Sequence, residues 1–200
     1  MLDTQATAQI ANAFAINPWI ESVTRVQKSA GNVEVHVNYR RPVAMVEVFS
    51  RHPDVKGLAY LPVDGNSVLL PTEDFSRADT HDYIHIVVKD AYPISDFGSK
   101  FGDTRVADAA LLASLLVNYR KSLGIVAITI DERSRQDDGP PALNLVLKDG
   151  SQIRWGSPPG KELGNEPHTS EKMRVLLSNS KSNDLDVLVA QPADDGYLQR

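Results

Sequence analysis

The sequence predicts an α+β fold in which a helix and a β-hairpin precede a mainly antiparallel β-domain with covering helices. Apolar residues recur at helical spacing over residues 6–14, whereas those over residues 33–37 alternate with polar ones, as in a half-buried strand. Later in the chain, Asp149 and Gly150 form a tight-turn signal between two apolar runs. With 42% hydrophobic and 24% charged residues among 200, the chain is able to bury a substantial core.

One helix and five strands are predicted before residue 71. Thr4 is expected to cap a helix over residues 4–15, which Asn17 and Pro18 end. Pro42 fits the start of a strand, because that position needs no ladder donor. The predicted strands are residues 23–28, 33–37, 43–49, 58–62 and 67–70, the last two flanking a turn at Asp64, Gly65 and Asn66.

The rest of the chain alternates strands with two helices. Thr104 is expected to cap a helix to about Ser122, with an apolar face that contains Ala113 and Leu116. A shorter helix is predicted over residues 169–177. The predicted strands are residues 83–88, 125–130, 143–147, 152–155 and 185–189. Polar stretches at residues 50–56 and 133–141 are expected to be linkers, and the end of the chain a frayed tail.

Composition excludes several classes of protein and site. A formal net charge of -5 disfavours nucleic-acid binding, which needs a basic surface. The absence of Cys excludes disulfides, thiolate metal sites and a cysteine nucleophile. The longest clearly apolar run, residues 111–117, is much shorter than the roughly 20 residues of a membrane span. The residues after Met1 do not show the pattern of a signal peptide.

Few residues suggest catalysis or ligand binding. His81 and His85 have the i,i+4 spacing of two zinc ligands on a helix, but residues 83–88 are predicted to be a strand, and four residues of a strand span about 13 Å. Surface histidines are therefore the favoured interpretation. The adjacent acids at residues 137–138 and 194–195 lie in polar loops, and the loop that contains Ser157 and Lys161 lacks the glycine spacing of a phosphate-binding loop. We predict no enzyme activity, no metal and no cofactor.

Several motifs, taken in order, resemble the extracytoplasmic region of the FtsQ/DivIB cell-division family. Pro18 and Trp19, the following hairpin, and the segment Arg41, Pro42, Val43 resemble the second half of a POTRA domain that leads into the family's β-domain. The turn at Asp64 is similar to the family's Val-Asp followed by a glycine turn. The resemblance covers most of residues 8–189.

The late hairpin extends this resemblance. An apolar strand from residue 145, a turn at Gly150, and a second strand that ends at Gly156 precede a helix that carries lysine. The implied organisation is a partial POTRA-like domain at residues 1–44, a β-domain at residues 45–192, and a disordered tail at residues 193–200.

The sequence also departs from the family pattern. The first strand and helix of a POTRA domain, the membrane helix and the cytoplasmic tail all precede the region seen here, so the resemblance implies an anchor outside this sequence. The family's acidic-apolar-Arg triplet in the last strand is met by residues 186–188, which lack the arginine. These departures indicate a divergent member with altered partners.

The resemblance implies a non-catalytic interaction scaffold at the extracytoplasmic face of the inner membrane, anchored as a single-pass protein. Its partners would be other envelope or divisome proteins, bound by β-strand addition at the last strand. The implied partner-binding residues are Arg174, Leu185, Val187 and Val189.

Two other classes of function stay open. A POTRA-like secretion or chaperone module would carry tandem copies and a downstream barrel. A small-ligand or metal-binding domain would require a polar cluster in a deep pocket.

Overall fold

The computed structural model describes residues 4–29, 31–49, 57–131, 139–178 and 183–186. It confirms the predicted α+β class, with four α-helices, a two-stranded sheet and a six-stranded sheet within these residues. None of the helices in the described ranges is both long and apolar enough to cross a membrane.

The N-terminal part is one helix packed on one hairpin. Helix α1 (Thr4–Ala15) packs on strand β1 (Ile20–Ser29), which pairs antiparallel with β2 (Asn32–Tyr39). Val35 is half-buried and His36 is exposed, so the predicted faces of β2 are correct. The described side chains of β2 are nevertheless mostly exposed, because only two strands and one helix are available to cover each other.

The main sheet has six strands in the spatial order β4-β3-β5-β6-β7-β8. Its strands are β3 (Pro42–Phe49), β4 (Leu58–Asp64), β5 (Ile84–Val87), β6 (Ile125–Asp131), β7 (Ala142–Leu147) and β8 (Gln152–Gly156). The outer pairs β3-β4, β6-β7 and β7-β8 are antiparallel, whereas β5 lies parallel to both β3 and β6. The sheet is therefore mainly antiparallel by pairing but has a parallel centre that the sequence did not predict.

The parallel centre follows from the helical connection between β5 and β6. Helix α2 (Thr104–Leu116) crosses over the sheet on this connection, as one βαβ unit. A parallel sheet with crossover helices would contradict the family resemblance; the sheet observed is mixed, with parallel pairing at its centre and one helical crossover. The predicted boundary after residue 44 falls inside β3, whereas the change from the hairpin to the main sheet lies between β2 and β3.

The core lies between α2 and one face of the main sheet. The fully buried side chains in register across the sheet and on the helix include Val46, Ile86, Ile128, Leu145, Ala113 and Leu116. Asp103 rather than Thr104 caps α2, because its carboxylate accepts from the Arg105 N–H. The observed helix is also shorter than the one predicted to about Ser122: α2 ends at Leu116, and a separate turn α3 (Arg120–Leu123) follows.

Two predicted strands differ from the structure or lie partly outside it. Residues 67–70 form isolated bridges, Val63 with Leu69 and Val68 with Lys100, instead of a strand. Of the strand predicted at residues 185–189, only residues 185 and 186 are among the described residues. The acidic pairs at residues 137–138 and 194–195 and the tail at residues 193–200 lie outside them.

Candidate partner-binding site

The far edge of the main sheet is built from β8 and a short segment near the end of the chain. Residues 183–186 run parallel to β8 through a bridge between Arg154 and Asp184. The Arg154 N–H donates to the Asn183 carbonyl at 2.9 Å, and the Leu185 N–H donates to the Arg154 carbonyl at 2.8 Å. This edge segment, residues 183–186, therefore extends the sheet beyond β8 by a few residues.

A buried ion pair attaches the last helix to this edge. Helix α4 (Thr169–Leu177) places the Lys172 side chain at 0% exposure, with Nζ 2.5 Å from Glu166 Oε1 and 5.3 Å from the Trp155 ring centre. The Ser157 N–H donates to Glu166 Oε1 at 2.6 Å, and the Ser157 hydroxyl donates to Oε2 of the same carboxylate. The carboxylate thus joins α4 to the end of β8.

A second carboxyl group brings the edge segment into the same network. Asp186 Oδ2 accepts from Arg154 Nε at 3.1 Å, and Arg154 Nη1 lies 3.8 Å from Asp131. Glu166 and Asp186 both approach the α-carbon of Gly156, where a β-carbon would overlap their oxygens. Gly156 also has a φ of 85°, a conformation that favours glycine. The predicted importance of Gly156 thus has a steric basis here.

The two carboxyl groups ionise differently. Burial disfavours the charged form of Glu166, but hydrogen bonds from Lys172 and Ser157 outweigh it and lower the pKa of Glu166 to about 2. Burial raises the pKa of Asp186, and the neighbouring Glu166 carboxylate raises it further, against the opposing effect of Arg154. As pH falls, Asp186 therefore takes up a proton before Glu166 does.

The predicted partner-binding residues fall into three environments. Arg174 is on the outer side of α4, with its side chain 74% exposed and 3.6 Å from Glu171. Leu185 is fully buried in the core and anchors the edge segment. Val187 and Val189 lie outside the described residues, so whether these four residues meet a partner stays a prediction.

The other predicted motif residues hold the hairpin against the main sheet. Trp19 Nε1 donates to Asp74 at 2.8 Å, and Pro18 packs against Gly98. Asp64 is buried and accepts from Arg40 Nη1 at 2.8 Å.

The start of β3 and the two predicted turns also contain predicted motif residues. Arg40, rather than the exposed Arg41, makes the buried ion pair, and Pro42 begins β3. Asp64 also accepts from the Asn66 and Val68 N–H groups, which closes the predicted turn. Gly150 has a φ of 84° in the predicted tight hairpin.

The two histidines considered as zinc ligands lie close together in the structure. His81 lies in a 3-10 helix (Asp79–Asp82) that turns before β5, so its ring stacks on that of His85 with centres 6.1 Å apart. The histidines are closer than a continuous strand would allow, yet no group of three or more potential metal ligands occurs among the described residues. Both ring nitrogens of His85 already face protein groups, Glu47 and the Thr80 carbonyl.

The buried network was missed by the sequence analysis, although one local signal pointed to it. Lys172 and Leu176 are four residues apart on α4 and share its buried face. A lysine on the apolar face of a short helix requires a buried acid, which Glu166 provides. Ser157 and Lys172 are both 0% exposed, so this part of the network holds α4 against the end of β8.

A scan against protein-family models and a search of curated proteins each return no match for this chain.

Proposed function

We propose that this protein is a non-catalytic interaction scaffold that binds other proteins by strand addition at the edge segment. The observation that supports this proposal is the short parallel pairing of residues 183–186 with β8, held by hydrogen bonds to Arg154. Among the described residues, no further strand pairs with this segment. An outermost strand is where an added strand gains main-chain hydrogen bonds.

The geometry favours a partner strand along the outer side of the edge segment. Backbone groups alternate in direction along an extended chain, so every second peptide group points away from β8. Leu185 and the Glu166-Lys172 pair hold the inner side in the core, which makes the segment a fixed template. A template that is already ordered lowers the entropic cost of binding.

Arg174 supplies a charge beside this edge. Its side chain is largely exposed on α4, the helix that the buried ion pair fastens to β8. This guanidinium would pair with an acidic residue of the partner, since guanidinium groups favour carboxylates. Arg174 would therefore contribute to the choice of partner, whereas the backbone would supply most of the affinity.

The cellular setting of this scaffold is part of the proposal. The resemblance of Pro18-Trp19, Arg41-Pro42 and the late hairpin to the FtsQ/DivIB family supports an extracytoplasmic domain that recruits cell-division or envelope-assembly partners. The buried Asp64 turn and the glycines at residues 150 and 156 give structural reasons for three of these motif positions. The parent protein would be anchored in the inner membrane by a segment outside this sequence.

A capture experiment with two variants of one residue tests this proposal. Val187→Pro removes a backbone N–H in the continuation of the edge segment, whereas Val187→Ala keeps it and shortens only the side chain. We expect the proline variant to lose a partner that the wild-type protein retains from solubilised bacterial envelopes, and the alanine variant to keep most of it. Equal recovery by the folded proline variant, verified by circular dichroism, would place the binding surface elsewhere.

A further inference from the structure

A second surface lies on the face of the main sheet that α2 does not cover. His85 and Ala127 are neighbours in register and alternate with Ile86 and Ile128, which are buried under α2. The side chains of His85 and Ala127 therefore point to the opposite face. There they form part of the floor of a cleft of about 670 Å³. We call it the basic cleft, after the three cations on its rim, Arg120, Lys121 and Lys148.

The rim of the basic cleft carries more positive than negative charge that is available to a ligand. Arg120 and Lys121 each lie 3.5 Å from the single carboxylate of Asp82, so one acid is shared between two cations. Lys148 forms no ion pair with any described residue. Glu47, the other acid of the cleft, is engaged by His85 Nδ1 at 2.8 Å. A local positive surface thus occurs in a chain whose net charge is -5.

A backbone hydrogen bond holds the segments that carry these cations next to each other. Gly124 ends α3 with a φ of 68°, and its carbonyl accepts from the Lys148 N–H at 2.8 Å. This hydrogen bond fixes the backbone of Lys148 beside the short helix that carries Arg120 and Lys121. Arg120 itself is only 11% exposed and donates to the His81 carbonyl at 3.3 Å, so it belongs to the wall of the cleft.

The cleft also offers apolar surface. A β-bulge between Ile125 and Ala127 leaves Val126 as the extra residue of β6, and its side chain is 38% exposed at the cleft. Bulges of this kind turn a side chain out of the regular alternation. A concave surface with an apolar floor and a few charged groups at its rim is the usual form of a ligand site.

We propose that the basic cleft binds a short acidic segment of a partner protein. Carboxylates of the segment would pair with Lys121 and Lys148, and an apolar side chain would lie against Val126. Charge complementarity favours this occupant, since Arg120 and Lys121 share one acid and Lys148 forms no ion pair with any described residue. Val126 adds a contact that a nucleic-acid backbone would not use. This surface is separate from the edge segment and would serve a second partner or a second region of the same one.

A peptide-binding measurement tests this inference directly. The full chain is titrated into a short fluorescein-labelled peptide that combines glutamates with a central phenylalanine, and binding is followed by fluorescence anisotropy. A matched peptide carries glutamines in place of the glutamates. We expect Lys121→Ala combined with Lys148→Ala to weaken binding roughly tenfold, because each exposed ion pair contributes modestly. Lys100→Ala, a lysine outside the cleft, should leave binding unchanged.

Several results would overturn the inference. Equal binding of the glutamine peptide would show that charge is not recognised, and equal binding by the double-alanine variant would remove the rim lysines from the site. Displacement of the labelled peptide by inorganic phosphate at a concentration equal to that of the peptide would identify a small-anion site instead. Peptide binding that decreases as the protein self-associates, measured by analytical ultracentrifugation, would assign the cleft to a second copy of this chain. Thermal unfolding of each variant verifies that it is folded.

Discussion

The buried Lys172-Glu166 pair makes a strong prediction about stability. Lys172→Met keeps an unbranched apolar side chain but removes the ammonium group that lies 2.5 Å from Glu166. Removing one partner of a buried ion pair costs about 3–5 kcal/mol, because the other charge is left uncompensated. The Ser157 hydroxyl and the Ser157 and Leu163 N–H groups still donate to Glu166, so we expect the lower end of this range, about 3 kcal/mol.

Urea unfolding followed by tryptophan fluorescence measures this cost, since Trp155 is fully buried beside Lys172. In a thermal melt of a chain of this length, the same loss of about 3 kcal/mol corresponds to a fall in Tm of roughly 6–12 °C. Lys161→Met is the matched control, because the Lys161-Asp108 pair is half-exposed at its lysine and should contribute less than about 1 kcal/mol. A similar small loss in both variants would refute the argument that the Glu166 charge depends on Lys172.

Two further predictions concern the carboxyl pair and the core. In an Asp186→Asn background, which removes the second titration, Glu166 should contribute stability that is fully present above its ordinary pKa of 4.5 and lost as pH falls through its lowered folded pKa, because Lys172 and Ser157 still bond to it. The stability difference between this protein and its Glu166→Gln derivative should therefore shrink as the pH falls below 4.5 in urea melts; a constant difference would contradict the lowered pKa. In the core, Leu116→Ala should cost about 2–5 kcal/mol, whereas Val35→Ala, at a half-buried site, should cost less than about 1.5 kcal/mol and His36→Ala almost nothing. Equal losses at Val35 and His36 would show that the faces of β2 are reversed.

Local signals allowed much of the fold to be predicted. The hairpin at Gly150, the helix over residues 169–177 and the alternation in β2 each depend on residues close in sequence, so their patterns are visible without tertiary structure. The parallel pairing of β5 with β3 and β6 depends on how a helical crossover packs over the sheet, and a four-residue strand carries no sign of its direction. This is why the centre of the sheet was not foreseen.

The candidate site was less accessible to prediction for a related reason. Glu166 lies in a polar loop, and Asp186 lies thirty residues from the strand with which it interacts, so each looks like a solvated charge in sequence. Only the fold brings them to the α-carbon of Gly156 beside Lys172. Arg40 and Arg41 are similarly indistinguishable in sequence, and the direction of their side chains at the entry to β3 decides which one pairs with Asp64.

Amide hydrogen exchange over residues 183–189, measured with and without a captured partner, tests the scaffold proposal most directly. Strand addition would convert outward-facing backbone N–H groups of residues 183–186 into ladder donors, so exchange should slow there when the partner binds. Exchange in α1 serves as the internal control, because α1 packs on β1 of the two-stranded sheet and not on the main sheet. Protection confined to residues 183–189 and the neighbouring helix α4 is the predicted result. Unchanged exchange over residues 183–189 with protection at the β1-β2 hairpin instead would contradict the proposal.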